Sequence, residues 1–153
     1  KDIAYVNPEP WRLGKGWKWT GLINTDLLYE RGNTDKDEYN GDWSTTIRSL
    51  RERYKFWGNY QREKSQNILV DENWLINGRY DYFASKKFFY GANLSVEHDR
   101  PADQLRRTII GPLIGYEFYE STAMNLNVSA GPQYVNEEFY TAKDDDYWAL
   151  GWQ

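Results

Sequence analysis

The sequence has no cysteine, one histidine and one methionine among its 153 residues. Disulfide bonds and thiolate chemistry are therefore excluded, although an oxidising compartment stays open, because a closed β-barrel needs no disulfide to hold it. A positive charge excess is also missing, since 19 Lys and Arg stand against 23 Asp and Glu, a formal net charge of −4. This balance argues against nucleic acid as a partner, because phosphate backbones require a concentrated basic face.

Long apolar runs are absent as well. No stretch approaches the roughly 20 residues of a transmembrane helix, and the mean hydropathy is −0.89. This excludes spanning by helices only, because the strands of a membrane barrel alternate and look polar on average. The chain opens at Lys1 without a signal-like apolar stretch, which indicates a mature or trimmed chain.

Aromatic residues, in contrast, are abundant. They make up 18% of the chain, with 8 Trp and 13 Tyr. Disordered chains are poor in aromatics, so that class is excluded. A polar average combined with many rings favours a structure in which one face of each element is polar and the other is aromatic-rich.

A period of two runs along almost the whole chain. In residues 17–30, Trp17, Trp19, Ile23 and Tyr29 fall on one phase, while Asn24, Asp26 and Glu30 fall on the other. Similar stretches begin near residues 39, 54, 74, 88, 108, 124 and 147. Alternation over such lengths is typical of membrane β-strands, which need about 9–11 residues to cross.

The predicted fold is all-β: an up-and-down antiparallel transmembrane β-barrel with about eight strands. Residues 1–16 are expected to form an extended segment on the periplasmic side, and residues 17–153 the barrel strands. The last strand still runs at Gln153. We therefore expect a chain truncated at its C-terminus and a larger closed barrel.

The connections fall into two predicted groups. Short ones span residues 49–53, 84–87 and 119–123, and longer, more charged ones span residues 31–38, 63–72, 98–106 and 136–146. Short turns at one end and long loops at the other are typical of outer-membrane barrels, with the long loops outside the cell. Carboxylate runs at residues 35–38 and 144–146 make divalent cation binding there a possible property, although neither has the spacing of an EF-hand.

Rings concentrate toward both ends of the apolar phase, with aliphatic residues between them. The predicted membrane-interface aromatics are Trp17, Trp19, Tyr29, Tyr39, Tyr54, Tyr60, Trp74, Tyr80, Tyr82, Tyr90, Tyr116 and Tyr134. Two such belts match the aromatic girdles of membrane barrels. The alternative is a soluble calycin-like barrel whose apolar phase points inward around an apolar small molecule. Which phase faces outward distinguishes the two.

The other phase is predicted to face the lumen. Its polar residues include Asp26, Asp42, Arg48, Lys55, Arg79, Asp81, Glu97 and Glu117. Mixed signs fit either ion-pair networks that fill a narrow barrel or the lining of a water channel. Packing is favoured, because Trp57, Phe83 and Phe89 share this phase and Gly91, Gly111, Gly115 and Gly131 make room for them.

Two Gly-Pro pairs interrupt the predicted strands. Pro112 and Pro132 lie in consecutive strands, almost opposite one another. Because proline lacks the amide donor of a ladder, a local bulge or a thin seam is expected there.

Several motifs, in order, resemble the salt-induced outer membrane protein family. They are the W-x-G at Trp19 and Gly21, R-G-N-T at residues 31–34, E-H-D-R-P-A-D-Q-L-R-R at 97–107, G-P-L-I-G-Y at 111–116 and A-G-P-Q-Y-V-N-E-E at 130–138. The resemblance implies an outer-membrane barrel without established catalytic residues, whose members continue through further strands. It also implies an osmotic context.

The remaining chemistry gives few candidates. His98 stands beside Glu97 and Asp99 and close to Ser95, a set that an outer-membrane lipid hydrolase would use. Ser95 and His98, however, fall on opposite phases, so the predicted protein is not an enzyme and has no cofactor. The sequence predicts an integral protein of the bacterial outer membrane, in contact with its lipid and lipopolysaccharide, with a structural or narrow-pore role.

Overall fold

The computed structural model describes residues 9–33, 35–66, 68–121 and 124–153. One eight-stranded antiparallel sheet contains nearly all of them, with strand order β1-β2-β3-β4-β5-β6-β7-β8. The strands are β1 Lys18–Glu30, β2 Lys36–Arg48, β3 Glu52–Ser65, β4 Ile68–Phe83, β5 Phe88–Asp99, β6 Gln104–Glu120, β7 Asn125–Phe139 and β8 Asp145–Trp152. The up-and-down all-β fold is therefore confirmed, and no described helix is long and apolar enough to cross a membrane.

The sheet is open. β1 and β8 are its two edges, and the residues of β1 are almost all exposed, on both phases. Backbone hydrogen bonds of 2.9 Å in each direction between Ser129 and Gln153 continue the β7–β8 pairing beyond β8. An unclosed sheet is compatible with the expectation that these strands form part of a larger barrel.

Strands extend well into the connections that the sequence analysis assigned to long loops. β3 ends at Ser65 and β4 begins at Ile68, and β5 ends at Asp99 before β6 begins at Gln104. The expected contrast between short turns and long loops was therefore wrong, because charged residues continue the alternation past the aromatic belts. We call the end with the β2–β3, β4–β5 and β6–β7 connections the turn end, and the opposite end the loop end.

The N-terminal segment is only partly described. Residues 1–8 of the expected extended segment lie outside the described residues, as do Thr34 of the R-G-N-T motif and residues 122–123 of a predicted turn. Pro10–Leu13 form a short 3₁₀-helix rather than extended chain. Proline at its first position fits a helix start, and Gly14 ends it with a left-handed φ of 75°.

The two Gly-Pro pairs produce a seam between β6 and β7. Pairing is present at Ile110↔Tyr134 and again at Ile114↔Ala130, with the same register on both sides and no paired positions between. The predicted interruption is confirmed in the form of a seam, whereas no register shift, and hence no bulge, occurs at the prolines. Shifts in this strand pair lie instead near its ends, at residues 104–106 and 117–119.

Candidate functional site

Burial separates the two phases of the sheet sharply. Along β6, the residues from Gly111 to Glu117 alternate between buried and exposed, with the odd positions buried. Ile110, Ile114 and Tyr116 expose 50%, 60% and 41% of their surface, whereas Glu117 exposes 3%. The polar phase is the covered one, opposite to what a water-soluble barrel requires.

The covered phase lies on a concave face, because side chains bond across it between strands that are not neighbours. Arg53 of β3 reaches Glu117 of β6, and Arg48 of β2 reaches Glu120 of β6. A flat sheet would hold β3 and β6 about 14 Å apart at its usual strand spacing. The sheet must therefore curl around its polar phase, which we call the concave face; the apolar phase is the convex face.

At the centre of the concave face lies a charged cluster. Arg53 donates from Nε to Asp81 Oδ2 at 2.8 Å and from Nη1 to Glu117 Oε2 at 2.5 Å, and Arg79 donates from Nε to Asp81 Oδ1 at 2.7 Å. All four residues are buried, and Asp81 is fully covered. Charge-assisted bonds of this kind are strong and satisfy groups that would be costly to bury alone.

A second ion pair closes the turn end. Arg48 donates from Nε and Nη2 to the two oxygens of Glu120 at 2.9 and 3.1 Å. Its guanidinium lies 3.9 Å from the ring centre of Phe83 and 5.1 Å from that of Trp11. The 3₁₀-helix therefore places Trp11 against the concave face, where its ring covers the Arg48 guanidinium. At 6% exposure, Trp11 is itself buried.

Rings and glycines complete the packing around the cluster. Phe83, Phe89 and Leu113 form the buried apolar group, and Arg53 and Arg79 lie over the ring of Phe89 at 5.1 and 5.3 Å. A Cβ at Gly115 would overlap that ring, so this glycine makes room for Phe89 as predicted. At the other three predicted glycines, Gly91, Gly111 and Gly131, a Cβ would instead overlap the backbone of a neighbouring strand.

The predicted lumen residues differ in their surroundings. Arg48, Arg79, Asp81 and Glu117 are buried and take part in the ion pairs. Glu97 is half-buried, 3.9 Å from Arg107. Asp26 of the edge strand β1 and Asp42 of its neighbour β2 lie on the same phase but are exposed, because no described residue covers the face near this edge.

Three members of the cluster were missed from the sequence. Arg53 and Glu120 were assigned to turns, and Trp11 to an extended tail. For Arg53 a signal was present, because it continues the odd phase of Lys55 and Trp57. Nothing in the periodicity points to Glu120, which follows a register shift in β6, or to Trp11.

The predicted interface aromatics lie on the convex face and contact one another across strands. Tyr54 and Tyr80 are register partners with ring centres 4.9 Å apart, and Tyr82 and Tyr90 are 5.4 Å apart. At the loop end, Tyr39 lies 5.6 Å from Tyr60. The rings thus line up in rows that run across the strands.

The convex face carries no Asp, Glu, Lys or Arg between these rows in any described strand, although 27% of the chain is charged. Its charged residues stand beyond the rows, toward the strand ends: Asp37, Glu52, Arg62, Lys64, Glu72, Arg106, Glu138 and Asp146. Glu52 accepts a hydrogen bond from the Tyr80 hydroxyl at 3.1 Å, and Asp146 accepts one from the Tyr134 hydroxyl at 3.1 Å. The apolar band is thus bounded on both sides by ring–carboxylate contacts.

Charge is also divided between the two ends of the sheet. At the turn end, basic residues outnumber acidic residues. The basic residues there are Arg12, Lys15, Lys18, Arg48, Arg51, Arg53, Lys55, Arg79, Lys86 and Lys87, and the acidic residues are Glu9, Glu52, Asp81, Glu117 and Glu120. At the loop end, acidic residues outnumber basic residues. The acidic residues there are Asp26, Glu30, Asp35, Asp37, Glu38, Glu63, Asp71, Glu72, Glu97, Asp99, Asp103, Glu137, Glu138, Asp144, Asp145 and Asp146, and the basic residues are Arg31, Lys36, Arg62, Lys64, Arg100, Arg106, Arg107 and Lys143. The mild net charge of the chain conceals this separation.

Three exposed contacts involve residues of the segments that connect or precede the strands. Glu9 accepts hydrogen bonds from Lys18 and from Trp11 Nε1, at 2.6 and 2.7 Å, which lower the pKa of its carboxyl. At the loop end, Asp103 accepts one from the Thr141 hydroxyl at 2.5 Å, which lowers its pKa. In the β1–β2 connection, the bond to Asp37 raises the pKa of Arg31.

His98 has an aromatic environment on the convex face. Its ring stacks on Trp74 at 5.8 Å and meets Tyr140 at 6.1 Å, and its Nδ1 lies 2.7 Å from the carbonyl oxygen of Leu105. Ser95 pairs with Asn77 and Ile109 on the opposite phase. The described residues therefore do not assemble the serine–histidine constellation of a hydrolase; the absence of enzymatic activity stays a prediction.

Metal-binding side chains do not cluster either. No group of three or more His, Cys, Asp or Glu able to hold an ion is present among the residues that the structure describes. A cation at the acidic connections stays a prediction.

Comparison with known proteins gives one match. Residues 27–153 match the protein family described as a protein of unknown function, DUF481. Neither the curated proteins nor the solved structures gave a match. The match covers β2 to β8 and the charged cluster, together with the end of β1.

Proposed function

The chain belongs to the DUF481 family of proteins of unknown function, and from the geometry of its sheet we propose that it forms part of the wall of a β-barrel in a bacterial outer membrane. The convex face would lie in lipid and the concave face would line a narrow, largely filled lumen. The role is structural in the first place: the wall holds itself in shape through ion pairs across its interior.

One observation carries the proposal: large apolar side chains cover the convex face while charged ones are buried. The described residues bury only five apolar side chains, yet Ile23, Ile114 and Leu150 expose 77%, 60% and 77% of their surface. In water, an apolar surface of this extent would drive association. In a bilayer, an apolar outer surface is what contact with the lipid chains requires.

The rows of rings support the same placement. Trp19 and Tyr29 of β1 are ten residues apart, or roughly 33 Å along a strand and roughly 25 Å across a membrane at a tilt of about 40°. That height equals the apolar band of outer-membrane barrels. Both residues are exposed, at 77% and 65%, and would lie at headgroup depth.

A calycin-like barrel would require the opposite arrangement. Its apolar phase would have to surround a ligand, and its charged phase would have to meet water. Here the face that is covered carries Arg53, Arg79 and Asp81, which offer no apolar ligand a binding surface.

The acidic loop end suits the outer leaflet only if cations are present. Lipopolysaccharide is anionic, and so are the connections around Asp35 and Asp144. We propose that divalent cations mediate this contact, as ions shared with the lipid rather than in a preformed protein site. The osmotic context that the family resemblance implies stays a prediction.

Insertion into defined bilayers tests the proposal. The protein is refolded with vesicles of phosphatidylcholine that carry bromine at known acyl depths, and tryptophan fluorescence is recorded. In single-Trp variants that retain Trp19, Trp74 or Trp148 of the convex face, quenching should be strongest for bromines near the headgroups. Single-Trp variants that retain only Trp57 of the concave face provide the control, since that ring should be quenched far less.

Two results would contradict the proposal. One is stable, monodisperse protein in water without detergent. The other is equal quenching of convex and concave tryptophans at every depth. Conductance across planar bilayers then distinguishes the two lumen roles: a filled barrel predicts silence across salts, and a narrow pore predicts steps.

A further inference from the structure

Lys55 is the one charged member of the central concave face without a counter-ion among the described residues. Its register partners are Thr46 of β2 and Arg79 of β4. Arg48, Arg53 and Arg79 engage all three nearby carboxylates, those of Asp81, Glu117 and Glu120. Lys55 therefore adds a positive charge that the face does not balance.

Lys55 lines a cavity of about 360 Å³ at the turn end. Five basic residues and three acidic residues line it, and each of the three carboxylates is already paired: Glu9 with Lys18, Glu117 with Arg53 and Glu120 with Arg48. The cavity lies at the small end of ligand pockets. Its lining therefore has an excess of positive charge.

Arg53 adds a further positive charge to the lining of the same cavity. Arg53 is 4% exposed, and its Nη2 atom is buried without a hydrogen-bond partner, although the other side of the guanidinium is fully engaged. A buried N–H without an acceptor costs about 1–3 kcal/mol, more on a charged group. This Nη2 atom is closed off from the cavity, so Lys55 is the group that brings an unbalanced charge to it.

From these observations we propose that the cavity binds one small inorganic anion beside Lys55. The anion supplies the missing counter-charge. The excess of basic residues at the turn end raises the local anion concentration. Glu117 Oε1 is likewise buried without a hydrogen-bond partner.

The inference concerns the concave face and holds whether or not the protein inserts as proposed above. It is tested on the full chain in detergent micelles by the line width of ³⁵Cl⁻ in NMR, which broadens when chloride exchanges with a protein site. The informative variant is Lys55→Gln, which removes the charge and keeps most of the stem. Arg53 is left unchanged because its removal would disrupt the buried cluster.

Lys64→Gln is the matched control. It makes the same change in the same strand, but at the acidic end, outside the cavity. Wild type and Lys64→Gln should show saturable excess broadening, and Lys55→Gln should weaken it about tenfold or more. Competition then identifies the anion: displacement by phosphate at lower concentration than by bromide indicates an oxyanion site, and the reverse indicates a halide site.

Three results would overturn the inference: no excess broadening in folded wild type, equal broadening in wild type and Lys55→Gln, or equal loss in both variants. A fourth is loss of thermal stability in Lys55→Gln of the same size in chloride and in a bulky organic anion, which would mean that Lys55 pairs with Glu117 Oε1. Chloride binding by a protein that fails to insert would remove the proposed function alone, and insertion without binding would remove this inference alone.

Discussion

Arg53 of β3 and Glu117 of β6 are joined at 2.5 Å although two strands separate them in the sheet. Both side chains are buried, so this bond spans the interior and fixes how far the sheet curls. A barrel wall usually takes its curvature from closure of the ladder. In this open sheet the curvature is held by charged side chains that reach across it.

Replacing Arg53 should therefore cost more than an ordinary ion pair. Arg53→Met leaves Glu117 buried without its cation and Asp81 with only Arg79, a loss of about 3–5 kcal/mol in the free energy of unfolding. Unfolding by guanidinium chloride in micelles, followed by tryptophan fluorescence, measures this loss. Arg106→Met is the control, because its bond to Glu138 has the same 2.5 Å length but is exposed, and should cost less than about 1 kcal/mol. Equal losses would show that the interior cluster is not special.

Gly115 should not tolerate a side chain. Gly115→Ala places a methyl group into the ring of Phe89, so we expect a loss of about 1–3 kcal/mol from overpacking. The double change Gly115→Ala with Phe89→Leu should recover part of it. Gly78→Ala is the control, since its Cβ would lie 3.5 Å from the Phe56 ring, an ordinary contact. Stability curves of the four proteins check this, and no recovery in the double variant would contradict the packing argument.

The period of two was enough to predict much of the fold. It identified eight strands and assigned Arg79, Asp81 and Glu117 to the same face, because a side chain's face depends only on odd or even position within a strand. The connections were wrong because charged residues near strand ends look like loops in sequence. Arg53 was assigned to a turn, and not to β3, for the same reason.

The partners across the concave face could not be predicted. Pairing of neighbouring strands follows from short connections, but contact between β3 and β6 depends on curvature, which no periodicity encodes. The seam at Pro112 and Pro132 was predictable because a missing amide donor is a property of the residue itself. The positions of the register shifts were not, since they depend on how the whole sheet coils.

Acid should release the contact between the β5–β6 turn and the β7–β8 connection. The Thr141 hydroxyl and the amides of Thr141 and Ala142 donate to Asp103 and hold its pKa below the usual range. Because the folded pKa is depressed, the contact is complete above the unfolded pKa of about 3.9 and is lost as pH falls through the lower folded value.

Amide NMR of Thr141 and Ala142 measures this release. Their shifts should titrate below the usual aspartate range in wild type and stay flat in Asp103→Asn, which tolerates the left-handed φ of 59° at this position. Asp144→Asn, in the same connection, is the control and should leave the Thr141 titration in place. A Thr141 titration that persists in Asp103→Asn would assign the release to another group.

The cost of a charge at an exposed apolar position should depend on its depth in the membrane. Ile76 and Ile68 lie on the same strand and are exposed to 50% and 68%. Ile76 lies on the convex face between the rings of Trp74 and Tyr80, within the apolar band. Ile68 lies beyond Trp74 and beyond the register shift at the loop end, where it pairs with Ser65 outside that band. In water the two positions would be nearly equivalent, and Arg at either would be harmless or would improve solubility. In a bilayer, Ile76→Arg should lose about 2–4 kcal/mol of folding free energy, and Ile68→Arg about 0–1 kcal/mol.

Reversible unfolding from vesicles measures both, and the difference between them cancels the loss of the isoleucine itself. Equal costs at the two positions would mean that no apolar slab surrounds the strand, and the membrane placement would fail while the curled sheet and its buried cluster remained.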